Sequence, residues 1–199
     1  MKHPRFVSLS FVVLALLIVA AGYDLYHLNR SANAVTVSSS KQAVAETNLT
    51  PPPPPSPCAS NNIDKLIIVG LNQQHLWACS FNVTSYSTPV VTGYTGLAAD
   101  VTPVGNYQIF TKETNVNLTG SDGISSWNVH VSYWMPFLFN KYGAYGFHDA
   151  TWRTPSEFGH VSTSTENASH GCVEMPLGGA QWLFNWAQVG TQIQIEQSA

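Results

Sequence analysis

Charge is scarce in this sequence. Of its 199 residues, 8 are Lys or Arg and 11 are Asp or Glu, for a formal net charge of −3. No basic cluster follows the first few residues. A surface that displaces counterions from phosphates needs Lys and Arg in number, so nucleic acid is excluded as a partner. Cysteine is scarce as well: only Cys58, Cys79 and Cys172 are present. There is no CxxC pair and no HExxH. His148, His160, His170 and Cys172 do not fall at ligand spacing, so neither a metal nor another cofactor is expected. Internal repeats are absent. Long helical stretches between strands are also absent, which argues against a parallel α/β fold.

What is present is apolar and β-prone. Apolar residues make up 44% of the chain and charged residues 10%. That balance, with abundant Thr, Ser and Asn, suits an extracellular β protein. Lys2, His3 and Arg5 precede an almost purely apolar run, Phe6 to Gly22. A short basic start followed by such a run is an export signal. At roughly 17 residues it sits at the short limit for crossing a bilayer. Val19-Ala20-Ala21 offers a small-residue cleavage site, so residues 1–22 read as a signal peptide or a signal anchor. Membrane contact is expected only through this segment, and the location is the cell envelope. Residues 23–62 are rich in Ser, Ala, Asn and Thr and contain the run Pro51 to Pro55. Such a segment is extended and semi-rigid and reads as a linker.

From Ile63 onward the pattern changes. Strands are expected over Lys65–Val69, Gln74–Cys79, Val83–Gly93, Gly105–Phe110, Val129–Trp134 and Gly146–His148, because Val, Thr and aromatic residues recur between short turn signals. Leu177, Ala180, Leu183, Phe184 and Ala187 fall near helical spacing and predict a helix over 177–186. Gly190 stops it, and Gln192–Ile195 alternates as a closing strand. The fold class is therefore mostly β, a closed or sandwiched sheet with one or two short helices, in one domain over 63–197.

An odd cysteine count in an exported chain leaves one thiol free. Cys58 and Cys79 bracket the first strands and are expected to pair, which leaves Cys172. It stands in the run Ser169-His170-Gly171-Cys172. A thiol reacts as thiolate and so needs a base or a positive field nearby. The preceding Gly permits a strained turn whose N–H groups can face an oxyanion. Gly146-Phe147-His148-Asp149 supplies a candidate base at the end of a short strand. His75, His130 and His160 carry no motif. Arg153 is a candidate for binding a substrate carboxylate through its forked guanidinium, or a solvated surface residue. Trp127, Tyr133 and Trp134 are candidates for core or pocket wall.

The pairing of Gly-Phe-His148-Asp149-Ala150 with Ser169-His170-Gly171-Cys172-Val173 resembles the L,D-transpeptidase catalytic domain, the YkuD-like family. Thr102-Pro103-Val104-Gly105-Asn106-Tyr107 is similar to the family's entry into a central strand. The aromatic run Tyr133-Trp134-Met135-Pro136-Phe137 is similar to the segment before its catalytic His. The resemblance implies a β-sandwich and a substrate, the peptidoglycan stem tetrapeptide. It implies attack by Cys172 with His148 as base, loss of D-Ala, a thioester, and a 3→3 cross-link made by a neighbouring stem's amine. His170 joins that catalytic set, and Ser169 and Gly171 shape the site and its oxyanion pocket. Tyr133, Trp134 and Arg153 would face the substrate. No metal or cofactor is implied, and carbapenems are expected inhibitors.

Three departures from the family pattern stand out. Glu174 follows Cys172 by two residues where the family usually carries Arg or Asn, and an acid there opposes thiolate formation. The stretch Asp149 to Ala168 is long. No second wall-binding module is legible. Asp149 has two readings, with either its backbone carbonyl or its carboxylate acting on His148. Two alternatives to a transpeptidase stay open: an L,D-carboxypeptidase of the same fold, in which water resolves the thioester, and a non-catalytic wall-binding module.

Overall fold

In the computed structural model, residues 55–199 are described. The apolar segment 1–22 and the linker up to residue 54 lie outside them. No helix among the described residues is long and apolar enough to cross a membrane. Ordered structure begins ahead of Ile63, since Pro57–Ser60 forms a 3-10 turn inside the stretch read as linker. Cys58 in that turn is disulfide-bonded to Cys79, and both are fully buried.

The elements, in chain order, are β1 (Leu66–Gly70), β2 (His75–Ser80), β3 (Val83–Pro89), β4 (Gly105–Gln108), β5 (Glu113–Ser121), β6 (Ser126–Asn140), β7 (Gly143–Asp149), β8 (Val173–Met175), α1 (Leu177–Trp186) and β9 (Gln192–Glu196). They build two sheets, one ordered β3-β2-β1-β9-β4 and the other β5-β6-β7-β8. Most pairs are antiparallel. The exceptions are β1 with β9 and β7 with β8, which run parallel.

Alternation along the strands explains the sandwich. Ile67, Val69, Leu76, Ala78, Ile193 and Ile195 of the first sheet share one core with Met135, Phe137, Phe147, Val173 and Met175 of the second. The helix adds Ala180 and Leu183 to that core. Full burial of a side chain such as Leu183 stabilises the fold by about 1.5–3 kcal/mol. The apolar spacing thus placed α1 well, although Leu177 at its start is exposed.

Two strands were not expected from the pattern. β5 reads Glu-Thr-Asn-Val-Asn-Leu-Thr-Gly-Ser and is mostly polar; it is held by pairing with the longer β6. β8 is only three residues long. The strand expected over Val83–Gly93 ends at Pro89, after which Val91 and Gly93 make single bridges to Glu174 and Ser169. This crossing segment clamps the stretch that carries Cys172. Val91 and Glu174 exchange both backbone hydrogen bonds, at 3.0 and 2.9 Å, and Ser169 donates to the Thr92 carbonyl at 3.0 Å.

Candidate active site

The parallel pairing of β7 with β8 brings the two chemical motifs together. Phe147 lies opposite Val173 and His148 opposite Glu174. Phe147 and Val173 point into the core. Successive side chains of a strand alternate, so His148 and Glu174 share the opposite face, and Cys172 falls on it two residues before Glu174. That face lines a pocket of ≈350 Å³ through His148, Cys172 and Glu174, and the core residue Tyr145 borders it as well. The β5–β6 hairpin supplies the facing wall through Leu118, Trp127, Val129 and Trp134. Trp152 and His170 complete the lining.

His148 is buried, and its Nδ1 lies 2.9 Å from the backbone carbonyl oxygen of Asp149. A carbonyl oxygen only accepts, so Nδ1 carries the proton and Nε2 is left as the basic nitrogen. This decides between the two readings of Asp149. Its carboxylate is engaged elsewhere: Oδ1 accepts the backbone N–H groups of Ser132 and Tyr133 at 2.8 and 2.9 Å. Consecutive N–H groups of a regular strand point to opposite neighbours, so two of them on one oxygen mark a bend in β6. Beyond that bend the hairpin presents Trp127 and Val129 to the pocket. Asp149 therefore shapes the wall rather than the base.

The turn before Cys172 is braced on every side. Ser169 Oγ donates to the Cys172 carbonyl and accepts the Gly171 N–H at 3.1 Å. With that N–H engaged inside the turn, Gly171 shapes the site through its backbone conformation. Its φ of +101° belongs to the region that favours glycine, and an added Cβ would lie 2.3 Å from the Tyr145 ring. Thr102, from the Thr-Pro-Val-Gly run, donates its hydroxyl to the Gly171 carbonyl at 2.8 Å and accepts the Gly93 N–H at 2.8 Å. A Cβ on Gly93 would meet the Asp100 carbonyl oxygen at 1.9 Å, so the two backbones require glycine to pass this closely.

Cys172 is the free cysteine and keeps part of its surface accessible. Its thiol points toward the Ala144 carbonyl oxygen, 3.9 Å away. Burial among dense neighbours, with a smaller contribution from the Glu174 charge, pushes the thiol up to about 12, against the pull of the Gly146 N–H. The resting site therefore holds a thiol, not a thiolate.

His170 is exposed and reaches the hairpin tip. Its ring stacks on Trp127 at 4.2 Å between centroids, and its Nε2 lies 3.4 Å from Ser125 Oγ and 3.7 Å from Asp122 Oδ2. The N–H groups of Ser125 and Ile124 hold the Asp122 carboxyl down to about 2. Asp100, Asp122 and His170 bring polar atoms within 4.8 Å of one another, a charge cluster around one imidazole. Asp100 Oδ1 in that cluster is buried without a hydrogen-bond partner.

Two expected substrate contacts are corrected. Tyr133 lies off the pocket, because the residue beside Trp134 on a strand faces the other way; its ring packs on Phe184 of α1 at 5.2 Å. Trp134 does line the pocket, opposite His148 in register. Arg153 is neither a substrate clamp nor solvated. Its side chain is 6% exposed, with Nε bonded to Glu174 Oε2 and Nη1 3.3 Å from Glu157 Oε1. Glu174 is accordingly a buried partner of Arg153. Two pocket residues carry no motif in the sequence: Tyr145, whose hydroxyl donates to the Ala99 carbonyl at 2.6 Å, and Trp152, 5.9 Å from the His148 ring. Tyr145 and Trp152 flank His148 in sequence, three residues before it and four after.

These features coincide with known proteins. Residues 64–195 match the L,D-transpeptidase catalytic domain model. A curated relative, the probable L,D-transpeptidase 3 of Mycobacterium tuberculosis, is 28% identical over 102 residues, covering 48% of this chain and 34% of its own length. A mutant Enterococcus faecium L,D-transpeptidase matches at a TM-score of 0.58 and 28% identity, over 67% of this chain and 50% of that one. The catalytic domain from E. faecium L,D-transpeptidase acylated by ertapenem matches at 0.57 and 28% identity, over 67% and 98%. The chain thus spans about a third of the curated relative and half of the longer solved chain. With the family model covering both the His148 and Cys172 strands and their sheet partners, this chain belongs to the L,D-transpeptidase catalytic-domain family.

Proposed function

We propose that this protein is a peptidoglycan L,D-transpeptidase acting in the cell envelope, held there or delivered there by its N-terminal apolar segment. The observation that carries the reading is the shared face of β7 and β8. His148, with Nε2 as its basic nitrogen, and Cys172 open onto one pocket. The substrate is a stem tetrapeptide, attacked at the carbonyl that links the third residue to terminal D-Ala.

Because the thiol is protonated at rest, deprotonation accompanies attack. His148 Nε2 takes the Sγ proton as sulfur bonds to the carbonyl carbon. The C–N bond to D-Ala then breaks, and the imidazolium returns the proton to the leaving amine. A side-chain amine of a second stem attacks the thioester, sulfur leaves and is reprotonated, and a 3→3 cross-link remains. Trp127, Trp134 and Trp152 line the pocket and keep bulk water from the thioester, which favours an amine over water as acceptor. His170, resting on the hairpin tip, holds that wall in place.

Incubation with tetrapeptide-stem muropeptides tests the reading. Release of D-Ala with cross-linked dimers is expected. Tripeptide products alone would make the protein an L,D-carboxypeptidase, and full turnover by Cys172→Ala would remove Cys172 from the mechanism.

A further inference from the structure

Glu174 puts a carboxylate on the face that carries Cys172 and His148. It is 6% exposed. Left alone, a negative charge there would oppose the thiolate, and water could screen it little. It is not left alone. Arg153, in the loop after His148, sends Nε to Glu174 Oε2 and Nη1 to Glu157. Glu157 is fixed in turn by the Thr154 N–H at 2.8 Å, the Thr154 hydroxyl at 2.9 Å and Asn167 at 3.3 Å. A guanidinium does not lose its proton in a protein, so its compensation persists across the working pH range.

We propose that Arg153 is a positioning residue for the Cys172–His148 pair. By holding Glu174 in a buried ion pair, it offsets a charge at the site that would oppose formation of the thiolate. This rests on the reading of Cys172 as the nucleophile. The long 149–168 stretch and the acid at 174, two departures from the family pattern, become one device: the loop brings the cation that the acid requires. The other ionisable groups around the thiol are His148 and Tyr145 from β7, Tyr142 just before it, and His170 with Asp100 and Asp122 at the pocket rim. Of the charged groups around the site, Arg153 is the one bonded to the Glu174 carboxylate.

Iodoacetamide alkylation of the whole chain measures this directly, since Cys58 and Cys79 are joined and Cys172 is the one free thiol. Rates are read against pH for the wild type, Arg153→Gln, Arg153→Lys, Glu174→Gln and the double variant Arg153→Gln/Glu174→Gln. Arg153→Gln is expected to slow alkylation at neutral pH about tenfold, one pH unit of midpoint, and to move the midpoint upward. Arg153→Lys falls between, and the double variant returns to within about threefold of wild type. A purely structural Arg153 would leave the midpoint unmoved, or leave the double variant as slow as Arg153→Gln; either result overturns the proposal. Should Arg153→Gln not fold, Glu174→Gln decides alone: its midpoint must hold or fall, and a rise sinks the idea. A wild type that alkylates as described yet transfers no stem peptide would instead refute the functional reading and leave this one standing.

Discussion

The Nδ1–H of His148 donates to the backbone carbonyl of the next residue, Asp149, at 2.9 Å. The residue that orients the base is thus its own neighbour, through the main chain. No side-chain substitution at 149 removes that acceptor. Replacing the ring does remove the base. His148→Ala is expected to lower acyl transfer by about 10²–10⁴-fold. The pH profile should change as well. A thiol pushed up to about 12 by its dense surroundings is protonated throughout the neutral range. Without the imidazole, reactivity should climb only as pH rises toward that value. Stopped-flow acylation between neutral and alkaline pH reads this out.

Asp149 should behave as a structural residue. Asp149→Ala leaves the Ser132 and Tyr133 N–H groups without their shared acceptor. A loss of about 2–3 kcal/mol in urea unfolding is expected. Asp149→Asn keeps one carbonyl oxygen and should retain most of both stability and turnover. A loss of turnover in Asp149→Asn as large as in His148→Ala would mean that the carboxylate acts on the ring after all.

Gly171→Ala should harm both stability and acylation. The substitution asks an L residue to adopt φ +101° and places a methyl 2.3 Å from the Tyr145 ring. The backbone conformation alone costs about 1–3 kcal/mol. Thr102→Val tests the same turn from its other side, since it removes the hydroxyl that joins Gly93 to Gly171. Each variant is expected to melt lower than wild type, with acylation slowed more than the melting shift explains.

Reduction should weaken the domain without touching the site. The Cys58–Cys79 disulfide spans 21 residues and ties the 3-10 turn to β2. Closing a loop of that length contributes about 3 kcal/mol in the chain-entropy account. Thiol titration of the unreduced, denatured chain should find one free thiol, and Cys58→Ala/Cys79→Ala should unfold at lower denaturant while still acylating.

Much of this site was legible in the sequence because its chemistry is local. Ser169 to Cys172 and Gly146 to Asp149 are contiguous runs, and each becomes one turn or strand end. The helix over 177–186 was legible because Ala180 and Leu183 repeat at its period. What escaped was set by distant partners. β5 is mostly polar, with Val116 and Leu118 its only large apolar residues, and is held in place by β6. β8 is three residues whose pairing is fixed by β7 and by the Val91 crossing. Tyr133 and Trp134 look equivalent in sequence, yet adjacent strand positions face opposite sides. Arg153 and Glu174 are 21 residues apart, and nothing in either neighbourhood announces their pairing.

Intact mass after incubation with ertapenem shows whether Cys172 is a nucleophile served by His148. One drug adduct is expected on the wild type, none on Cys172→Ala, and slow, alkaline-dependent formation on His148→Ala. An equal adduct on Cys172→Ala would mean that another residue is the nucleophile.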